Sequence, residues 1–347
     1  MSSHTVFRFT ARNGVDNIQA FKEPIPTVGQ YEILIKVRSV ALNQRDVHIA
    51  TDTYPLPVKE GVISGSDMAG EVAQVGDLVK GFSIGDPVLA PLNPTFLYGQ
   101  LLPEHGSDTF GALRDGMLRE YVVLPAHCII KLPKSSHSFT QWAALVQSRA
   151  TMWNAFYGNT VLKPGDTVLA LGTGGVSMIA LILAKAAGAT TIITSSSDRK
   201  LELVKSRFGV DYTINYNTHP NWASEVQRIT NGQGANHIIE TSGVGTIGQS
   251  LESVARGGIV SVIGFMTTIP QEEMPNVAML SLTKGCAVRG VQGGSKQQLE
   301  EAVRFVRSRE LVMPVDKVFS FSRDDIVAGL KYIQSGKHIG KVCINLE

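Results

Sequence analysis

The stretch from Asp166 to Lys200, DTVLALGTGGVSMIALILAKAAGATTIITSSSDRK, constrains the fold more than any other part of the chain. Val168 to Leu171 form an apolar run of buried-strand length, and Gly172, Gly174 and Gly175 follow at once. Ile179, Ile182 and Leu183 then recur at helical spacing, Gly188 closes the helix, and Thr191 to Thr194 supply a second β-branched run. Strand, glycine turn, helix and strand in this order make a βαβ unit. Its turn lets backbone approach a pyrophosphate, and the amides that open the helix point at the charge. Ser177 stands where a third glycine or an alanine would complete GxGxxG, so the match is imperfect in a suitable context. A crossover that binds nothing is one alternative. A membrane span is another, since no charge falls between Asp166 and Lys185, but the glycines, the short length and the polar flanks favour a buried helix.

The flanking sequence has two textures. Val6 to Phe9, Glu32 to Val40, Gly70 to Val75, Pro87 to Ala90 and Glu120 to Leu124 are strand candidates separated by turns such as Pro24-Ile25-Pro26, Pro55-Leu56-Pro57 and Val79 to Asp86, the spacing of a barrel-like β domain. From Ser138 to Asn159 apolar residues recur at helical spacing. Beyond the glycine unit, strands at Asp211 to Tyr216, His237 to Glu240 and Ile259 to Gly264 alternate with a helix through Trp222, Val226 and Ile229, which predicts an α/β fold with a doubly wound parallel sheet. Helices through Leu299 to Val306 and Ile326 to Ile333 and a strand from Lys341 to Leu346 complete the pattern. The expected organisation is a β domain over 1–134 completed by 310–347, and a nucleotide-binding domain over 135–309.

Composition narrows the partners. Hydrophobic residues at 43%, charged residues at 18% and a net charge of +2 over 347 residues describe a globular protein with no electrostatic case for nucleic acid or membrane surfaces. Small molecules are the expected partners. Cys128, Cys286 and Cys343 are too far apart for a disulfide framework or a CxxC metal site. The first residues lack the apolar core of a signal peptide, so cytoplasmic residence is the default expectation.

About 20 residues past the glycine turn, an NAD site places a carboxylate on the ribose 2′-hydroxyl. This chain has Thr194, Ser195, Ser196 and Ser197 there, with Arg199 and Lys200 one step on, a set that suits a 2′-phosphate and predicts NADP(H). Asp198 argues the other way and is read as a helix N-cap. Gly172, Thr173, Gly174, Gly175 and Val176 are the expected pyrophosphate cradle. Ser242-Gly243 and Gly264-Phe265-Met266 close the fourth and fifth strands, where backbone is expected to face the cofactor.

With these residues in hand, the chain resembles the medium-chain dehydrogenase/reductase superfamily, in particular its zinc-independent quinone oxidoreductase-like branch. The matching pieces are ALNQRD (Ala41 to Asp46), GSDMAGEV (Gly65 to Val72), VKGFSIGDPV (Val79 to Val88), Thr151 to Phe156, Gly172 to Ala189 and IGKV near the end. The resemblance implies a GroES-like β-barrel domain joined to a Rossmann domain. It also implies that Thr151 approaches the cofactor, that Tyr216 lies near the adenosine phosphate, and that the chain pairs as a homodimer along Ala287 to Val291. Where zinc-containing relatives carry Cys, His-Glu and a third ligand, this chain has Asn43, Ser66-Asp67 and Ser148, and Pro91 to Leu118 contains none of the four cysteines of a structural zinc lobe. No zinc is expected.

The expected reaction is NADPH-dependent hydride transfer to an apolar enone or quinone, with hydrogen-bond donors stabilising the enolate. Asn43 is the candidate donor to the nicotinamide or the substrate oxygen, and Tyr54 the candidate proton donor, with packing beside Pro55 as its alternative role. Arg45 and His48 share that segment and are read first as surface residues. Asn93 to Met117, with Phe96, Tyr98 and Phe110, is expected to be a lid that shapes the substrate pocket. The rival expectations are a zinc-free carbonyl or alcohol dehydrogenase with His48 in a proton relay, and a non-catalytic NADPH-binding sensor or structural protein.

Overall fold

Thr167–Leu171 and Thr190–Ser195 are parallel neighbours in register, joined by the helix Gly175–Ala186, as the βαβ pattern requires. In the computed structural model, which describes residues 2–106, 108–267 and 269–346, the chain divides into two units. One is Met1–Ala150 with Gly294–Glu347, and the other is Thr151–Gly293.

The second unit is built on a parallel sheet ordered Tyr212–Asn215, Thr190–Ser195, Thr167–Leu171, Ala235–Glu240, Val254–Val262, Ala287–Gly290. In chain order within the unit this is 3-2-1-4-5-6, so the direction of winding reverses beside Thr167–Leu171. Leu169, Ile192, Ile238 and Val260 are wholly buried, because helices cover both faces of such a sheet and leave its strands apolar throughout. The Gly175–Ala186 helix belongs to these layers, burying Met178, Ile179, Leu181 and Leu183; the membrane-span reading therefore does not hold. Among the described residues no helix is long and apolar enough to cross a membrane. Two helices, Ile247–Ser253 and Val277–Lys284, have no clear apolar period and are not evident from the sequence.

The first unit holds a hairpin, Ser3–Phe9 with Ile18–Pro24, and a larger sheet. Glu32–Leu42 is its central strand, pairing antiparallel with Asp67–Val75, with Tyr121–Pro125 and with the C-terminal strand Lys341–Asn345. Val342 lies opposite Leu42, and Asp67 lies opposite Ala41. That register brings the residue after Leu42 and the residue before Val342 to one place in the sheet. Ile33, Ile35, Val40, Ile63, Met117 and Ile344 fill the core beneath, joined by Ile326 and Leu330 of the helix Arg323–Gln334.

Segments 135–150 and 294–309, read from the sequence as part of the nucleotide-binding domain, cluster with the first unit. The helical spacing from Ser138 to Asn159 is carried by two helices, Phe139–Ala143 and Val146–Tyr157. Ser138 caps the first by accepting from Gln141 N, and the amide of Gln147, in the opening turn of the second, donates to Asp67 Oδ2 at 3.2 Å. A buried carboxylate thus accepts from an amide in the first turn of a helix.

The segment Asn93 to Met117 differs from the expected lid. Ser107 lies outside the described residues; of the rest, Phe96 and Phe110 are buried and Phe110 belongs to the core. Asn93 Oδ1 accepts from the amides of Thr95 and Phe96, and the carbonyls of Phe96 and Leu97 accept from Lys296 N and Gln297 N. Local turn bonding and buried rings tie the segment down, and only Tyr98 among its three aromatics is well exposed.

Candidate active site

Among the residues expected to hold the dinucleotide, Gly172 to Val176, Ser195, Ser196, Tyr216, Ser242 and Gly264 lie at or just past the C-terminal ends of the second unit's strands, which close on Leu171, Ser195, Asn215, Glu240 and Val262. Asn43 belongs to the first unit. Gly172 has φ 73°, a left-handed conformation that a side chain would strain, and it turns the chain into the helix Gly175–Ala186. Ser177, buried at the third motif position, donates its hydroxyl to Leu171 O at 2.6 Å. A serine is accepted there because its one polar group is satisfied by the strand it must pack against. No side chain caps this helix at Gly174, whereas Ser197, Asn221, Asn276, Ser295 and Ser322 cap later helices with side-chain bonds. The helix that opens on Gly174, Gly175 and Val176 leaves its first amides to a ligand or to water.

Beyond the second strand, Ser195 is buried, Ser196 and Arg199 are exposed and Lys200 is half-buried. The N-cap of the helix Asp198–Phe208 is Ser197, whose Oγ accepts from Lys200 N, and not Asp198 as expected. Asp198 stands one residue inside, and its carboxylate accepts from Asn215 Nδ2 at 2.7 Å. The backbone N–H of Tyr216 donates to Ser195 O, which sets that partly exposed ring beside the serine loop. Thr151 is buried in the opening turns of Val146–Tyr157.

The loops after the fourth and fifth strands are organised by Glu240, a residue with no expected role. Glu240 is wholly buried, and its Oε1 accepts from Ser242 N, Gly243 N and Thr246 Oγ1 while Oε2 accepts from Ser250 Oγ at 2.6 Å. The Ser242 and Gly243 amides, expected to face the cofactor, point instead at this carboxylate. Gly264 N donates to Glu240 O, and the carbonyl of Ser242 accepts from both N and Oγ1 of Thr267. A Cβ on Gly264 would collide with Thr241 O, so glycine is required for the two loops to meet. Phe265 and Met266 project their side chains outward, 45% and 58% exposed. A glutamate at a strand end followed by serine, threonine and glycine is the only sequence signal for this arrangement.

The first unit carries a separate polar cluster. Lys341 and Asp67 are both buried, with Nζ 3.4 Å from Asp67 Oδ2. The same ammonium donates to Asn43 Oδ1 at 2.6 Å. Asp67 Oδ1 accepts from Ser66 Oγ at 2.7 Å. Asn43 opens the helix Gln44–Ala50, where its backbone N–H donates to Asp46 Oδ2, and Asp46 Oδ1 accepts from Ser64 Oγ and Gly65 N. Full burial pushes the Asp46 carboxyl above the usual range, against the pull of Arg45 and of the Asn43 amide. The Asn43 Nδ2 group is buried and takes no hydrogen-bond partner among the described residues.

On the same helix Arg45 is buried, contrary to its reading as a surface residue. It donates from Nε to Tyr54 Oη at 3.1 Å, and its other nitrogens reach Phe110 O and Thr109 Oγ1. Its guanidinium also lies 5.2 Å from the Tyr54 ring centre. Because arginine only donates, the Tyr54 oxygen is an acceptor in this contact and its own proton stays available. His48 Nδ1 is 2.8 Å from Thr53 Oγ1, which is 3.1 Å from Thr51 Oγ1, and burial lowers the imidazole pKa.

Asn43, Ser66, Asp67 and Ser148, which the resemblance sets at the metal positions of zinc-containing dehydrogenases, offer an amide, hydroxyls and one carboxylate already paired with an ammonium. Ser148 is buried and supplies no thiolate or imidazole. Such a donor set does not fit zinc, which takes thiolate, imidazole and free carboxylate ligands. Among the described residues no group of three or more His, Cys, Asp or Glu is arranged to hold a metal ion.

Known proteins resemble this chain in sequence and fold. Residues 29–134 match the model of the alcohol dehydrogenase GroES-like domain, and 175–308 match that of the zinc-binding dehydrogenases. A zinc-type alcohol dehydrogenase-like protein of Schizosaccharomyces pombe is 37% identical over 96% of this chain and 97% of its own. A quinone oxidoreductase-like protein 2 homologue of Nematostella vectensis is 29% identical over 92% of this chain and 83% of its own. A solved structure described as a candidate alcohol dehydrogenase of Sinorhizobium meliloti shares 31% identity and covers the whole of both chains with a TM-score of 0.89. The chain belongs to the medium-chain dehydrogenase/reductase family, with a GroES-like domain and a Rossmann-type sheet, and is an oxidoreductase of that family.

Proposed function

We propose that the protein is an NADPH-dependent, zinc-independent reductase of an activated carbon–carbon double bond or a quinone. The observation that carries this reading is the set of donors in the first unit: Lys341 neutralises Asp67, the Asn43 Nδ2 group is unclaimed, and Arg45 leaves the Tyr54 proton available. When bound, the nicotinamide supplies a hydride to the β-carbon of the acceptor. Negative charge then develops on the acceptor's oxygen, and Asn43 Nδ2 stabilises it by donating a hydrogen bond. Tyr54 Oη supplies the proton that completes the reduction, held in place by Arg45.

The cofactor choice rests on Ser195, Ser196 and Arg199 at the position of a 2′-hydroxyl-binding acid, and on the engagement of Asp198 by Asn215. A 2′-phosphate finds donors there and no free carboxylate at the serine position. Gly172 to Val176 take the pyrophosphate, and Thr151, Lys200, Tyr216, the side chain of Ser242 and Gly264 to Met266 complete the proposed cofactor contacts.

Steady-state turnover of NADPH and NADH against a panel of enones, quinones and aldehydes tests the reading. Consumption of NADPH with enones or quinones, at least about tenfold over NADH as one charge-assisted bond would give, is the expected result. Faster turnover with NADH ends the cofactor assignment. Turnover of aldehydes alone favours a zinc-free carbonyl or alcohol dehydrogenase, for which the His48–Thr53–Thr51 chain of hydrogen bonds offers a proton path. Tight NADPH binding with no consumption favours a non-catalytic sensor. We propose further that two copies associate along the edge strand Ala287–Gly290, where Val288 and, on the preceding helix, Met279 and Leu282 are exposed.

A further inference from the structure

We infer that Lys341 is a positioning residue for the reduction, one that sets which end of the Asn43 amide meets the substrate; the inference rests on the reductase reading above. An ammonium donates hydrogen bonds and accepts none, so the Asn43 atom 2.6 Å from Lys341 Nζ must be the oxygen. The amide plane then fixes the opposite atom as Nδ2, which is buried and takes no partner among the described residues. An asparagine left to itself presents either its oxygen or its nitrogen by a half-turn about its last torsion. Here the half-turn would place an NH2 group against a buried ammonium, two sets of donors with no acceptor between them.

Lys341 is held by two features that do not involve Asn43. Asp67 pairs with it at 3.4 Å and is itself fixed by Ser66 Oγ and Gln147 N. The antiparallel register that sets Val342 opposite Leu42 brings the lysine to the asparagine across 298 residues of chain. The ammonium also withdraws charge from the amide through its oxygen, which makes Nδ2 a stronger donor than an unpaired asparagine. The reaction stoichiometry is unchanged: Lys341 neither gives nor takes a proton, and its part is to keep a donor, never an acceptor, facing developing negative charge.

The test uses the full-length protein with NADPH and an acceptor from the panel. Lys341→Met is expected to lower kcat by about 100-fold, the loss seen when one donor to an oxyanion is removed, while KM for the acceptor moves less than about threefold. Lys341→Arg retains a donor-only cation and should recover most of the lost kcat. Since a lone Asp67 charge can unfold the unit, the double variant Lys341→Met with Asp67→Asn removes both charges and should show the same loss with a normal melting curve and normal NADPH affinity. A folded double variant with kcat within about threefold of the parent overturns the inference. Neutron diffraction from crystals of the unmodified protein decides the orientation without any turnover. Deuterium density on the Asn43 atom facing away from Lys341 supports the inference, and density on the facing atom overturns it. If the protein reduces no panel compound, the function reading fails while the neutron result still settles the amide.

Discussion

Tyr54 shows how one contact changes the chemistry open to a side chain. A tyrosine beside a proline reads equally well as packing or as an acid, and its ring does pack against the first unit's core. The 3.1 Å bond from Arg45 Nε makes the phenol oxygen an acceptor on the protein side and leaves its proton to be given elsewhere. Tyr54→Phe is therefore expected to lower kcat with an enone by about 100-fold, within the usual range for a general acid, with NADPH affinity unchanged in a fluorescence titration. A kcat within about threefold of the parent would return Tyr54 to a packing role. Glu240 acts at the same scale in the other unit: one carboxylate satisfying four donors stiffens the loop that carries Ser242.

At the scale of elements, the glycines of the second unit separate into two kinds. A Cβ on Gly172 would meet open space, but the residue has φ 73°, so Gly172→Ala meets only backbone strain, about 1–2 kcal/mol. Gly264→Ala drives a methyl into Thr241 O and should cost about 3 kcal/mol, the upper end for overpacking, because the paired loops must separate. Urea unfolding of both variants checks the order; equal losses would show that the loops yield easily. The edge strand Ala287–Gly290 is the other element with a consequence. Among the described residues it bonds to Val254–Val262 on one side only, and an unpaired edge bearing apolar side chains invites a second copy. For the proposed pairing, Val288→Lys is expected to convert the dimer to a monomer in sedimentation while leaving the proposed NADPH site intact. An unchanged sedimentation coefficient argues against pairing at this edge.

At the scale of the whole molecule, each unit buries a histidine whose neutral form is favoured. His4 Nδ1 accepts from Tyr121 N, and burial with the nearby Arg119 charge lowers its pKa below 6.5. His237 sits edge-on to Phe156 and is lowered by burial, against a weaker pull from Asp166. Below pH 6.5 the unfolded chain takes up protons at both sites that the folded chain refuses, so stability rises with pH through that window and levels off above it. Melting curves should show a loss between about pH 7 and pH 5, and His237→Phe should reduce the part belonging to the second unit. A melting temperature independent of pH over that range would show that both imidazoles protonate freely in the native state.

What could be read from the chain was local. The strand, glycine turn and helix at Asp166 to Lys200 lie within a few turns of one another, and hydrophobic period with turn chemistry specifies them before any packing is known. The alternation that follows specifies a parallel sheet, and Asn43, Ser66 and Asp67 are by residue type poor ligands for a soft metal. Short helices such as Ile247–Ser253, the two-part helix around Ala144, and the buried state of Phe96 and Phe110 depend on partners far along the chain. Asp198 differs from its expected capping role because Asn215, on a neighbouring strand, takes its carboxylate while Ser197 caps the helix. The pairing of Lys341 with Asn43 and Asp67 is the least legible feature, since it rests on an antiparallel register between the chain's last strand and one of its first. Periodicity and motif report what neighbours in sequence do; hydrogen bonds across a sheet report what distant residues do, and only the folded chain decides them.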